Sequence, residues 1–183
     1  MAAATPDPAP GSRTARAAIR VATPADAPLV WELLREFAAY ESLSRLVTGD
    51  AARLAAHLSG EAWPKVDGLV AEDGGAPVGY ALFFGMFSSF STAPLVWLED
   101  LYVRESHRGM GLGRALMSAV ARVAVERGGP RLAWAVLDWN EPALAFYRRL
   151  GATRQLGWHI YGLEGGPLRA LATGSSEGPE RRR

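Results

Sequence analysis

The sequence predicts a single α/β domain: a mixed central sheet with helices on both faces. Three observations point there. Strand-like and helix-like runs alternate in the order β-α-α-β-β-β-α-β-α-β. The run "LVWLEDLYV", ending at Val103, is apolar on both parities, as in a strand covered on both sides. A glycine-rich turn and the clearest amphipathic helix of the chain follow that strand at once.

Taken in order, "AIRVA" is a short first strand. "TPADAPLVWELLREFAAY" is a helix, with Thr23 as N-cap, Pro24 in the first position and Asp26 completing a capping box. Leu29, Leu33, Phe37 and Tyr40 recur along it at helical spacing. "TGDAARLAAHL" is a second, shorter helix, expected to be capped by Thr48. "DGLVAED" and "PVGYALFFGMF" form a hairpin across "DGGA". "GLGRALMSAVARVAVERG" carries the stripe Leu112, Leu116, Val120, Val123 and stops at Gly128. "RLAWAVL" is a strand, and "NEPALAFYRRLG" a helix opened by Asn140 and closed by Gly151. "GWHIYGLE" is expected to be the last strand. The domain spans 17–165. Residues 1–16, interrupted by Pro, read as a disordered extension, and 166–183 as a mostly disordered tail with one helical turn near Leu168.

Bulk properties narrow the chemistry. At 183 residues there is room for one well-cored domain. No window holds 18 continuous apolar residues, so no transmembrane helix is expected. With no cysteine, disulfides and thiol nucleophiles are excluded, and the three scattered histidines give no metal-ligand spacing. The cytoplasm is the expected compartment. The net charge of +1 hides an asymmetry. From Ile19 to Asp100, five bases face eleven acids, a balance of −6; from Leu101 to Glu164, nine bases face five acids, a balance of +4. Such halves suit a protein that joins a cationic partner to an anionic one. No basic run within the domain is dense enough for nucleic acid.

Two features carry chemistry. The first is "VRESHRGMGLGRAL", where a buried strand turns into a helix. Glycines 109, 111 and 113 let backbone N–H groups converge, the helix N-terminus adds free donors, and Arg108 and Arg114 add charge. The site favours phosphate. A Walker A loop would need a Lys, and the dinucleotide fingerprint fails because its sixth position is Arg114 or Leu116. What remains is Arg-x-x-Gly-x-Gly. The second feature is the carboxylate pair Glu99 and Asp100 in the middle of an apolar strand, where an unpaired charge is costly.

The glycine motif resembles the pyrophosphate-binding loop of the GCN5-related N-acetyltransferases, which use acetyl-coenzyme A. "LEDLYV", "RGMGLG", "DWNEPALAFYRRLGA" and "FAAYE" together resemble the diamine (spermidine/spermine-type) branch, in order and spacing, from about Ile19 to Leu163. The resemblance implies a strand splayed from "RLAWAVL", with pantetheine bonded along Leu101, Tyr102 and Val103. It implies that Arg108, Gly109, Met110, Gly111, Leu112, Gly113 and Arg114 hold the pyrophosphate, and that Asn140 and Tyr147 contact the cofactor. Glu99 resembles the general base and Tyr147 the acid that protonates the departing thiolate. Tyr40, Glu41 and Trp158 match the substrate side. Asp100 projects opposite Glu99 unless the strand bulges, and is either a substrate-ammonium contact or a structural carboxylate.

The expected activity is direct acetylation of a small amine in a ternary complex, without a metal and in a homodimer. One departure bears on the substrate. Polyamine enzymes carry acidic residues just before that last aromatic, where this chain has "RQLG". This favours a shorter amine, such as a diamine or lysine analogue. A non-catalytic acyl-CoA-binding module and a protein or peptide N-acetyltransferase are the alternatives.

Overall fold

The computed structural model describes residues 17–174 except Trp158. The expected N-terminal extension, the last nine residues and Trp158 lie outside the described residues. The described chain divides into two compact units, one ending at Ala135 and one beginning at Val136.

The first unit is built on a five-stranded sheet in the order β1 (Ala17–Val21), β2 (Asp67–Asp73), β3 (Ala76–Ser88), β4 (Ala93–Val103), β5 (Leu132–Trp134). All neighbours are antiparallel except β4 and β5, which run parallel. The β2–β3 hairpin forms as its "DGGA" signal predicts. Gly74 and Gly75 take φ of +61° and +82°, the left-handed pair that a two-residue hairpin turn requires. β2 and β3 are buried on consecutive residues, so the sheet is covered on both sides.

Helix α1 (Ala27–Tyr40) follows a single 3-10 turn over Pro24–Asp26. The capping box is made: the Thr23 N–H donates to the Asp26 carboxylate at 2.7 Å. Helix α2 (Ala51–Ser59) is capped by Asp50 and not by Thr48. The Asp50 carboxylate accepts from the Arg53 N–H at 2.8 Å, a bond across the first turn that Thr48 stands two residues too early to make. Val30 and Leu33 of α1 and Leu58 of α2 bury against Val70, Tyr80, Leu82 and Tyr102 of the sheet. Each such side chain contributes roughly 1.5–3 kcal/mol by leaving water. Helix α3 (Leu112–Glu126) packs on β3 and β4 through Leu112, Leu116, Met117 and Val120.

The second unit contains α4 (Glu141–Arg149) and α5 (Gly165–Thr173). Asn140 caps α4, accepting from the Ala143 N–H at 3.2 Å. Glu141 near its start and Arg148 and Arg149 near its end complement the helix dipole. The last strand expected over 157–164 does not form among the described residues. Alternating apolar residues become a strand only against a ladder partner, and here Ile160 and Tyr161 stay 82% and 91% exposed. The single helical turn expected near Leu168 extends to nine residues in α5. β5 is also shorter than "RLAWAVL" suggests, keeping three residues.

Candidate active site

The site is organised by an irregularity in β4. Leu98 opposes Phe83 of β3, yet Asp100 opposes Leu82, so Glu99 is an extra residue on its strand. This is a β-bulge, and it re-aims the side chains around it. Trp97 opposes Phe84, Asp100 opposes Leu82 and Tyr102 opposes Tyr80. Trp97, Asp100 and Tyr102 therefore share the face covered by α1 and α2, although Trp97 and Asp100 are an odd number of residues apart. The indole N–H of Trp97 donates to a Glu99 carboxylate oxygen at 2.8 Å, which draws Glu99 to the same face. The bulge thus removes the expected opposition of the two carboxylates, and Asp100 does not project away from Glu99.

The two carboxylates sit in different surroundings. Glu99 is exposed, whereas Asp100 is partly buried and accepts from the Tyr80 hydroxyl at 3.3 Å. Burial, and then the nearby charge of Glu99, push the Asp100 carboxyl up to about 7 from its ordinary 3.8; Glu41 adds to the rise and the Tyr80 hydrogen bond opposes it. The same burial and the Asp100 charge hold the Tyr80 phenol well above its usual range. Glu41 follows the last residue of α1, where the negative end of the helix dipole also favours a cation. Tyr40, beside it, is 37% exposed.

On the other edge of β4, pairing with β5 covers only Val96, Trp97 and Leu98. Among the described residues the stretch from Glu99 to Val103 has no partner on that side, as expected of a splayed strand. Tyr102 buries its ring against Phe37 (centroids 5.6 Å apart) and Tyr80, so only its backbone is left to meet a cofactor. After Val103 the chain passes through a 3-10 turn into the glycine loop. Gly109 and Gly111 have φ of +78° and +85°, and a Cβ at either would meet nothing within 4 Å. Their backbone geometry, and not crowding, calls for glycine. Gly111 is the N-cap of α3 and brings no capping side chain, so the first-turn N–H groups lack that partner. Arg108, Gly109, Met110, Gly111 and Arg114 are exposed here, Gly113 is partly buried, and Leu112 turns into the core. Uncapped first-turn amides and two arginines at an exposed, glycine-rich helix start suit the phosphates of coenzyme A.

In the second unit, Asn140 is 5% exposed and its side chain serves as the α4 cap. Tyr147 lies on α4 with its ring 5.3 Å from that of Phe146. Among the described residues no cluster of His, Cys, Asp or Glu could hold a metal, and no helix is long and apolar enough to cross a membrane.

Three residues of the site escape sequence reasoning. Tyr80 and Trp97 read as core aromatics, and only the bulge shows that their polar tips meet the two carboxylates. Arg104 binds Glu36 of α1 at 2.6 Å and the Pro77 carbonyl at 3.1 Å, fastening α1 to the end of β4. A phenol and an indole within apolar strands were the available signal, since such tips need partners when buried.

The comparisons with known proteins agree with this geometry. The chain is 39% identical to thialysine N-epsilon-acetyltransferase of Bos taurus over 165 residues, covering 84% of this chain and 96% of that one. It is 29% identical to an L-ornithine N5-acetyltransferase of Arabidopsis thaliana, covering 91% and 92%. Among solved structures, an integron cassette protein from the mobile metagenome of V. cholerae superposes with a TM-score of 0.71 at 25% identity, covering 86% and 98%. The Acetyltransferase (GNAT) family, whose members use acetyl-CoA as co-substrate, matches residues 30–152, a span that takes in the bulge, the glycine loop and α4; the chain belongs to that family and is an N-acetyltransferase.

Proposed function

We propose that the enzyme transfers the acetyl group directly to the side-chain amine of a small, lysine-like substrate in a ternary complex. The bulge at Glu99 carries this reading. It gathers Glu99 and Asp100 on the α1–α2 face, with Glu41 near Asp100, beside the stretch of β4 that β5 leaves open. Acidic groups attract an ammonium, and the open strand edge and glycine loop suit pantetheine and pyrophosphate. The thialysine and ornithine enzymes to which the chain is similar act on amines of this size.

An ammonium must lose a proton before it can attack a thioester. Glu99 takes that proton, directly or through a water. The backbone of Leu101, Tyr102 and Val103 binds the pantetheine, and a backbone N–H near Leu101 polarises the thioester carbonyl. Arg108, Arg114 and the N–H groups from Gly109 to Gly113 bind the pyrophosphate. Asn140 contacts the cofactor, and Tyr147 returns a proton to the departing sulfur. Tyr40, Glu41, Asp100 and Trp158 form the acceptor side. The family resemblance also supports a homodimer, and the cysteine-free composition supports a cytoplasmic setting.

Thiol release measured across a panel of amines tests the proposal. Turnover highest with thialysine, ornithine or lysine, and weaker with spermine, is expected. Acetyl-CoA binding without turnover on any amine would make the protein a binding module, and turnover confined to peptide amines would make it a peptide acetyltransferase. Either result overturns the reading.

A further inference from the structure

Two features inside the sheet are left unused by the steps above: the Tyr80 phenol and the capacity of the Asp100 carboxyl to take up a proton. Tyr80 is fully buried in β3, where a benzene ring would pack equally well, and its hydroxyl finds a partner in Asp100 on the adjacent strand. Asp100 is placed there by the bulge. Asp26 and Glu36 each pair with an arginine, but among the described residues no lysine or arginine pairs with Asp100. The groups that face it are Tyr80 from β3, Glu99 from its own strand and Glu41 from the end of α1; Tyr102 lies beside Tyr80, with ring centroids 6.3 Å apart. A carboxylate among carboxylates, anchored by one phenol, is arranged to hold a proton.

The reaction supplies that proton. Converting an ammonium into an acetamide removes two protons from nitrogen while the N–C bond forms and the C–S bond breaks. One proton ends on sulfur, and the other must reach solvent. We propose that Asp100, anchored by Tyr80, is the proton store of the site: Glu99 passes it the ammonium proton, Asp100 holds it while the neutral amine attacks, and it leaves to solvent through Glu99 once the thiol has gone. This rests on the acetyl-transfer reading above. It adds a second acceptor to that reading and gives Tyr80 a task. Asp100 acts through Glu99 and is a positioning residue in this scheme.

The test uses the full chain. Carboxyl carbon NMR follows the aspartates against pH, with the Asp100 signal identified by its loss in Asp100→Asn. In parallel, kcat/KM for the amine is measured from pH 5 to 9. The Asp100 signal should titrate near neutral pH, and kcat/KM should fall on the acid side with the same midpoint. Tyr80→Phe removes a hydrogen bond that favours the ionised form, so both midpoints should move up together. Asp100→Asn should erase the near-neutral limb and lower kcat/KM at pH 7. Titration of Asp100 in the ordinary carboxylate range, or an acid limb unmoved in both variants, overturns the store while leaving acetyl transfer intact. A merely structural Asp100 would lower stability without moving the limb. Absence of thiol release with every amine overturns acetyl transfer, and the store with it.

Discussion

The guanidinium of Arg108 lies 4.5 Å over the ring of Tyr40. Its Nε–H donates to the Val103 carbonyl at 3.1 Å, at the end of β4. A residue assigned to pyrophosphate is thus steadied by one assigned to the acceptor side. The end of α1 and the glycine loop are linked through a single stack.

That stack predicts an effect on the wrong substrate. Removing a cation–π contact at an exposed site should cost about 0.5–1 kcal/mol, or roughly a two- to fivefold rise in KM for acetyl-CoA in Tyr40→Leu. Tyr40→Phe keeps the ring and should keep the value. Steady-state kinetics with each substrate varied in turn checks this; a change confined to the amine KM would make Tyr40 an acceptor contact only.

Glu99→Gln should lower kcat at neutral pH on the order of a hundredfold, as expected for losing a general base, with little change in acetyl-CoA affinity. Trp97→Phe frees Glu99 from its indole partner and should lower kcat less. Thiol-release rates together with coenzyme binding by calorimetry separate the two effects. Intact activity of Glu99→Gln across pH 6–9 would remove Glu99 from the chemistry.

Asp100 also makes a prediction for stability. Its folded pKa is raised, so its proton is held in the fold at pH values where the unfolded chain has released it. Its contribution is fully present below 3.8 and lost as pH rises through about 7. Asp100→Asn carries no such loss. Relative to the parent, the variant should gain on the order of a few kcal/mol between pH 4 and pH 8. Denaturant unfolding at the two pH values reads the difference directly.

Asp26 behaves in the opposite sense. Hydrogen bonding to Arg20 holds its carboxyl well below the ordinary 3.8, with the Thr23 backbone N–H adding to the effect. Its contribution is therefore present above that value and lost as pH falls toward the depressed one. Arg20, which also binds Glu72 at 2.7 Å, is 40% exposed, so solvent screens the pair. Asp26→Asn should cost about 1 kcal/mol at pH 7 and less at pH 3. Thermal unfolding across this range tests it.

Gly79 of β3 lies against β4 with no room for a side chain. A Cβ there would stand 2.6 Å from the Tyr102 carbonyl oxygen and 3.1 Å from the Val103 side chain. Gly79→Ala should destabilise by about 1–3 kcal/mol, as overpacking does. Because backbone must move, it should also disturb the Tyr80–Asp100 pair, one residue from Gly79 on β3 and two from Tyr102 on β4. A lowered Tm is the measurement.

Much of the molecule is written in local patterns. Alternation and helical spacing mark the β2–β3 hairpin, α1, α3 and α4, because the solvent and core faces of each element are set by residues close in sequence. The glycine loop is equally legible, since Gly109 and Gly111 need a backbone conformation that other residues rarely adopt. Boundaries that depend on a partner are less so. β5 stops after Trp134 and no strand forms over 159–164 among the described residues, because a ladder is made by two segments and pattern describes only one. The two carboxylates show the divide most sharply. Sequence alone placed Glu99 and Asp100 side by side in an apolar strand and marked the pair as costly. Tertiary structure decided which way each one points. One extra residue in β4 against β3 turned Asp100 toward Tyr80 and let Trp97 hold Glu99, a consequence of register between strands that no single strand encodes.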